Sequence, residues 1–463
     1  MIFTSYTYVA FLLAALVLHW SLPPRFRKPF LITASYVFYC SWKWQYGFLL
    51  LAVSLFNWAY GRFVLAKARS ATPLAAGVLL NLAPLLYFKY TAFALENAAS
   101  ALGFLGLHLS VPVLSIVLPL GISFFTFQGI AYLIDVATGE DPFVRLQDFL
   151  LYKAFWPQLI AGPIIRPGQI REQIETPRPL DYDLFAEGAQ RILFGFFKKV
   201  VLADMLAPTV ELVFAPSASP AFLDVAVGVL GFGLQIYFDF SAYSDIAIGT
   251  ARLFGFVFPE NFDWPYAARS PQEFWRRWHM TLSRWIQDYV FTPLNFATRG
   301  RPGLGKLWLV VAMAVCGLWH GAQWTFVLWG VWHGLLLVLS PFLVKRVRGP
   351  AALALTFAAV NLGWLLFRAV SFDQAWRYLV TLVTLHGGLR PAVVRESAVL
   401  VVLVVFLGLA AAPWVRDGLA SFAARSRHAE AWGRFARPVL YALLIVAVVV
   451  LDQEARAFVY FQF

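Results

Sequence analysis

Residues Leu307 to Gly334 read LWLVVAMAVCGLWHGAQWTFVLWGVWHG, an almost wholly apolar run with an ionisable His320 in its middle and a second, His333, thirteen positions later. Each histidine stands in a Trp-His-Gly triplet, and Gly321 and Gln323 supply a turn between them, so the two belong to different helices. An ionisable side chain inside a membrane segment is costly and by default marks a site. At helical spacing Met313, Cys316 and Gly317 share the face of His320. Cys316 and Gly317 are small, and a cavity is expected beside the imidazole.

The rest of the chain agrees with a membrane setting. It has 463 residues, 60% of them hydrophobic and 13% charged, against about 45–50% and about 25% in soluble domains. The composition predicts an all-α polytopic membrane protein, read as a single integral membrane domain over residues 1–463. Ile2 to Trp20 has neither a basic region before it nor a small-residue cleavage site after it, and is read as a retained span. The net charge of +12 arises from Arg and Lys clustered in short connectors, which is the positive-inside pattern. Membrane lipid is therefore the expected surface partner, and nucleic acid is not. Cys40 and Cys316 both lie in apolar segments, which argues against a disulfide framework or a thiolate metal site.

A crossing needs about 20 apolar residues, and counting such runs gives about eleven or twelve transmembrane helices. Arg25, Arg27 and Lys28 after the first run place the amino end outside. Pro73 to Phe93 crosses outward with Lys89 snorkelling near its end, and Leu114 to Asp135 returns. Phe149 to Ile170 is interrupted by Pro157, Gly162, Pro163 and Pro167, and predicts a re-entrant or interfacial element covered by protein or lining a wet cavity. Phe222 to Ile248 carries Asp239 and Asp245, which call for partners or water. The basic connector from Arg252 to Lys306 belongs on the cytoplasmic side, and the closing FVYFQF faces outside.

Within that connector PQEFWRRWHMTLSRWIQDYVFTPL, from Pro271, predicts one amphipathic interfacial helix. Trp275, Trp278, His279, Leu282 and Ile286 share one side; Arg276, Arg277, Arg284, Gln287 and Asp288 take the other. The arginines serve either as interface anchors or as planar forks for the phosphates of an anionic donor. His279 lies on the apolar side, where an imidazole needs a hydrogen-bond partner or a cavity. His333 is read as a helix-to-helix hydrogen bond. No histidine pair has the i, i+4 spacing of zinc helices, and no metal is expected. There is no Gly-x-Ser-x-Gly elbow, P-loop or dinucleotide fingerprint.

Five motifs carry a resemblance: FTFQGIAYLIDV (Phe125 to Val136), WPQLIAGPIIRP (Trp156 to Pro167), YFDFSAYSDIAIG (Tyr237 to Gly249), Asn261 to Leu294, and LWHGAQWTFVLWGVWHG (Leu318 to Gly334). In this order they resemble the membrane-bound O-acyltransferase family, in particular its bacterial cell-surface polysaccharide branch, which includes the alginate O-acetyltransferase membrane subunit. The resemblance implies a fold around a tunnel joining the membrane faces, with His320 as the essential base and His279 assisting. It implies a multi-pass protein of the bacterial inner membrane that takes an acetyl group from a cytoplasmic thioester, most simply acetyl-coenzyme A. No tightly bound cofactor is implied. Arg276, Arg277 and Trp278 are the donor-binding candidates. The acetyl group would pass to an exported polysaccharide, with a lipase-like (SGNH-type) extracytoplasmic acetyltransferase as partner. The final Phe458 to Phe463 looks like the branch's aromatic motif, whose tyrosine, here Tyr460, would carry the acyl group; on residues alone it reads as an aromatic-belt anchor. Within the family the alternatives are peptidoglycan O-acetylation and D-alanylation of teichoic acid, the latter normally using a separate peptide for the tyrosine motif. Outside it stands a transporter or flippase in which the histidines and aspartates relay protons without covalent chemistry.

Overall fold

The computed structural model describes residues 3–68, 70–107, 114, 116–299, 301, 303–425, 429–451, 456, 458 and 459. Tyr460 lies outside the described residues. Helices α1 (Tyr6–Ser21), α2 (Pro24–Cys40), α3 (Gln45–Phe63), α4 (Thr72–Leu85) and α5 (Thr91–Phe104) come first, the last two joined through a π-helical turn at Leu86–Tyr90. Then follow α6 (Ile122–Ala137), α7 (Leu146–Ala154), α8 (Trp156–Leu159) and α9 (Pro167–Glu175). Next, α10 (Tyr182–Phe196) and α11 (Asp204–Val213) flank a π-helical Phe197–Ala203, and α12 (Phe222–Leu253) is the longest element. Three short helices, α13 (Pro271–Arg277), α14 (Met280–Ile286) and α15 (Thr292–Ala297), lead to α16 (Leu304–His320) and α17 (Trp324–Arg346). The remainder is α18 (Gly349–Arg368), α19 (Phe372–Thr384), α20 (Glu396–Arg425) and α21 (Ala429–Leu451). Among the described residues every regular element is helical.

The protein is a polytopic membrane protein. Among the described residues five helical stretches are long and apolar enough to cross a bilayer: Gln45–Lys67, Thr72–Phe104, Phe222–Leu253, Trp324–Arg346 and Gly349–Arg368. Five shorter apolar helices accompany them, namely Tyr6–Ser21, Ile122–Ala137, Leu304–His320, Glu396–Ala412 and Phe435–Leu451. The run from Leu114 begins its helix later than hydropathy suggests, at Ile122, because Gly121 stands before it in a left-handed conformation (φ 73°).

Hydrophobic burial does not distinguish protein from lipid, so polar pairs and close packing hold the helices together. Asn57 of α3 and Asn81 of α4 exchange amide bonds at 2.9 and 3.0 Å. α16 and α17 form a hairpin so close that a methyl group at Gly317 would lie 2.1 Å from the Phe326 carbonyl oxygen, and one at Gly330 2.2 Å from that of Met313. The space at Gly317 is therefore filled by α17 rather than left open beside His320, which corrects that part of the cavity expectation. α12 is buried along nearly its whole length, the mark of a helix surrounded by others. Two of its acids are paired, Asp239 with Lys199 and Asp245 with Arg191 and Lys198, and the third, Asp224, accepts backbone N–H groups of Ala221, Ala392, Val393 and Val394.

The proline-broken stretch is covered by protein, as expected. Its backbone polar groups find partners inside the bundle: Trp156 N–H on Ser35 Oγ at 3.3 Å, Ile164 N–H on Thr281 Oγ1 at 3.0 Å, and the Ile165 carbonyl on the Tyr152 hydroxyl at 3.1 Å. Irregular backbone is tolerated at membrane depth only under such conditions.

Candidate active site

The helix expected from Pro271 onward is two helices. α13 starts at Ser270, whose hydroxyl accepts the Glu273 N–H at 3.1 Å, with Pro271 in its first turn. It ends at Arg277, and α14 starts after His279, whose backbone is left-handed (φ 39°, ψ 55°). That conformation is strained for a residue with a Cβ. It persists because the 261–263 segment grips both sides of the break: the Asp263 N–H donates to the Arg277 carbonyl and the Met280 N–H to the Asn261 carbonyl, each at 2.9 Å.

Asn261 also sets the imidazole. Its Oδ1 accepts from Thr281 N–H (3.3 Å) and Thr281 Oγ1 (2.9 Å), and lies 2.9 Å from His279 Nδ1. Its Nδ2 donates to Ser244 Oγ at 3.0 Å. The Thr281 N–H identifies this atom as the amide oxygen, which only accepts, so Nδ1 of the neutral ring carries the proton. The ring is buried, edge-on to Phe240 at 4.6 Å and 6.2 Å from Trp319.

Trp319 connects this ring to the next. His320, the last residue of α16, packs 5.0 Å from Trp319, 5.1 Å from Trp329 and 5.3 Å from Phe367. The end of α16 exposes carbonyls that a cation can cap. Lys89 does so, donating to the Trp319 carbonyl at 2.7 Å and the His320 carbonyl at 2.9 Å, while the Tyr90 hydroxyl holds that of Leu318 at 2.8 Å. The π-helical turn at Leu86–Tyr90 presents both side chains to α16. Lys89 thus points into the bundle and does not snorkel. His333 sits on α17, 4.9 Å from Trp329, and its Nδ1 accepts the indole N–H of Trp275 at 3.3 Å, joining α13 to α17.

A cavity of about 580 Å³ opens beside this cluster. Arg276, Lys306, Gln272 and Gln287 supply its polar lining; Met313 and Cys316 of α16 line it one to two turns before His320. Of the donor-binding candidates Arg276 lines the cavity. Arg277 is turned to Glu273 (2.8 Å) and the Asp263 carbonyl (3.3 Å). Trp278 is buried in an aromatic wall, 4.9 Å from Trp364 and 5.2 Å from Phe262. Among the described residues no three His, Cys, Asp or Glu side chains gather as metal ligands. Sequence reasoning missed Asn261 and the true role of Lys89; the signal for the first was a polar residue eighteen positions before a histidine that needed a partner, too distant for any helical pattern to show.

Chemically, the cluster offers an imidazole with a fixed tautomer, a second at the end of a capped helix, aromatic walls that exclude water, and an adjoining basic cavity. The model of the membrane-bound O-acyltransferase family matches residues 138–368, which contain His279, His320, His333 and the cavity-lining residues. The probable alginate O-acetylase AlgI of Azotobacter vinelandii is 42% identical over 388 residues, 81% of this chain and 77% of the relative. The protein of the same name from Pseudomonas aeruginosa is 40% identical over 387 residues, covering 81% and 74%. The peptidoglycan O-acetyltransferase of Helicobacter pylori is 35% identical over 405 residues, covering 79% and 75%.

Proposed function

Because the chain belongs to the membrane-bound O-acyltransferase family, we propose that this enzyme takes an acetyl group from cytoplasmic acetyl-coenzyme A and moves it through the bacterial inner membrane for O-acetylation of an exported cell-surface polysaccharide. The observation that carries the reading is the 42% identity over 81% of the chain to an alginate O-acetylase. The proposed roles of His320 and Tyr460 follow from the family, and the geometry supports those of His279, Arg276 and Lys306. His320 acts as general base: it takes the proton of an attacking hydroxyl as that oxygen bonds to the thioester carbonyl carbon, then returns it to the departing thiolate as the carbon–sulfur bond breaks. His279, its ring set by the contact of Nδ1 with Asn261, orients a hydroxyl or thiol proton. Arg276 and Lys306 at the cavity hold donor phosphates. Tyr460 is the proposed hydroxyl that carries the acetyl group outward, where a lipase-like acetyltransferase partner completes transfer to the sugar.

His320→Ala tests the assignment. Mass spectrometry of the surface glycan should show loss of acetyl groups in a strain expressing this variant at parental level, and unchanged acetylation would refute it. The relative acting on peptidoglycan, at 35% identity over 79% of the chain, supports a second acceptor class. The same spectra, taken on peptidoglycan and on exported polysaccharide from a deletion strain, separate the two. A transporter would leave no acetyl label on the protein after incubation with labelled acetyl-coenzyme A.

A further inference from the structure

Beyond α21, Phe458 and Val459 are gripped inside the bundle and not spread on a lipid-facing surface. Phe458 is 0% exposed and Val459 6%, which removes the aromatic-belt reading for these two. The Val459 N–H donates to Asp239 Oδ2 at 2.9 Å, and the other oxygen of the same carboxylate takes Lys199 Nζ at 2.8 Å. Lys199 also holds Asp204 at 2.8 Å, and its ammonium lies 4.8 Å from the centre of the Phe458 ring. Tyr243, one turn beyond Asp239 on α12, meets that ring edge-on at 4.9 Å. Nearer α21, Arg456 Nη1 pairs with Glu211 Oε1 of α11 at 3.0 Å.

The depth of this contact matters. Asp239 stands well inside the 32-residue α12, about 25 Å from its first residue at ~1.5 Å per residue. Phe458 and Val459 therefore lie against the interior of α12 rather than at its end. A buried ion pair is weak evidence of stabilisation, because desolvation offsets much of the attraction. Here the pair does something a pair of apolar residues could not: one carboxylate oxygen neutralises the lysine while the other faces an incoming backbone amide, and the lysine faces an incoming aromatic ring. Those are two recognition elements for adjacent residues of one segment.

We propose that the Lys199–Asp239 pair is a seat for the Arg456–Val459 segment, fixing the depth at which the next residue, Tyr460, is presented to the reaction. The proposal rests on the reading of Tyr460 as acyl carrier. Lys199 and Asp239 are then positioning residues, acting through the segment they hold.

Two variants test it from opposite sides. Val459→Pro removes the donated N–H and leaves the Lys199–Asp239–Asp204 cluster intact. Asp239→Leu removes the acceptor and leaves Lys199 paired with Asp204. With Cys40 and Cys316 replaced by alanine, V459C reports the seat: N-ethylmaleimide should label it slowly, and adding D239L should raise the labelling rate about tenfold or more, as expected when local opening becomes easy. V459P should lower glycan acetylation about tenfold while acetyl-coenzyme A binding stays at the parental value and thermal unfolding falls only by the loss of this one hydrogen bond, because the Lys199–Asp239 and Lys199–Asp204 pairs remain. Equal labelling with and without D239L overturns the seat. Parental acetylation by V459P overturns its link to catalysis, and should D239L fail to fold, V459P alone still decides. Failure of the acyl-carrier reading itself is visible separately, as absence of acetyl label on the parent protein.

Discussion

His279 sits at a break between two short helices, its backbone held left-handed and its ring tied to Asn261, whereas His320 closes a long helix and is tied through its carbonyl to Lys89. Both are buried and both face Trp319. One imidazole is oriented by the Asn261 side chain, at a backbone break that main-chain bonds from the 261–263 segment hold in place. The other is oriented by where a helix stops. The difference separates two ways of holding a base: the first fixes which nitrogen carries the proton, and the second fixes where the ring stands among Trp319, Trp329 and Phe367. This division fits His320 as the group that takes and returns the proton and His279 as the group that orients.

The largest effect expected from breaking this arrangement is at His320 itself. His320→Ala should lower acetyl transfer by about 10²–10⁴-fold, the usual contribution of a general base, in a protein that elutes and unfolds like the parent. Next comes Asn261→Ala, which strands the His279 Nδ1–H and both Thr281 donors. It should cost about 1–3 kcal/mol in unfolding experiments in detergent and about 10–100-fold in activity, and Asn261→Asp, retaining the acceptor oxygen, should recover part of both. At His279 the strain itself can be tested. Asparagine tolerates the left-handed conformation better than alanine, so His279→Asn should be more stable than His279→Ala by up to about 1 kcal/mol, with both equally impaired in transfer. Lys89→Met removes the cap on the last carbonyls of α16 and should lower stability by about 1–2 kcal/mol; Lys89→Arg should restore most of it. The smallest effect is at the cavity: Arg276→Ala should raise the KM for acetyl-coenzyme A severalfold with kcat little changed, as when uniform binding is lost. Arg277→Ala, whose side chain is turned to Glu273, should leave that KM alone.

Much of this was readable from residue types and spacing. Gly321 and Gln323 do divide α16 from α17, so the two Trp-His-Gly triplets fall on separate helices. The demand of Asp239 and Asp245 for partners is met by lysines and an arginine of the preceding helical segment. Prolines and glycines after Phe149 do mark irregular backbone that protein must cover. What spacing does not show is a single left-handed residue inside an unbroken amphipathic pattern: Trp275, Leu282 and Ile286 keep helical periodicity across His279, and only the distant Asn261–Asp263 segment enforces the break. Lys89 escaped for a similar reason, since a π-helical turn redirects its side chain and periodicity assumes a uniform helix. Gly317 misled in the other direction, because a small residue in a membrane helix more often admits a neighbouring backbone than an empty space.

The account stands or falls on covalent transfer across the bilayer through His320. In proteoliposomes with the cytoplasmic face outward and the glycan acceptor and extracytoplasmic partner inside, [14C]acetyl-coenzyme A added outside should label the enclosed glycan with the parent enzyme and leave it unlabelled with His320→Ala. Glycan labelling by folded His320→Ala at the parental rate would contradict it.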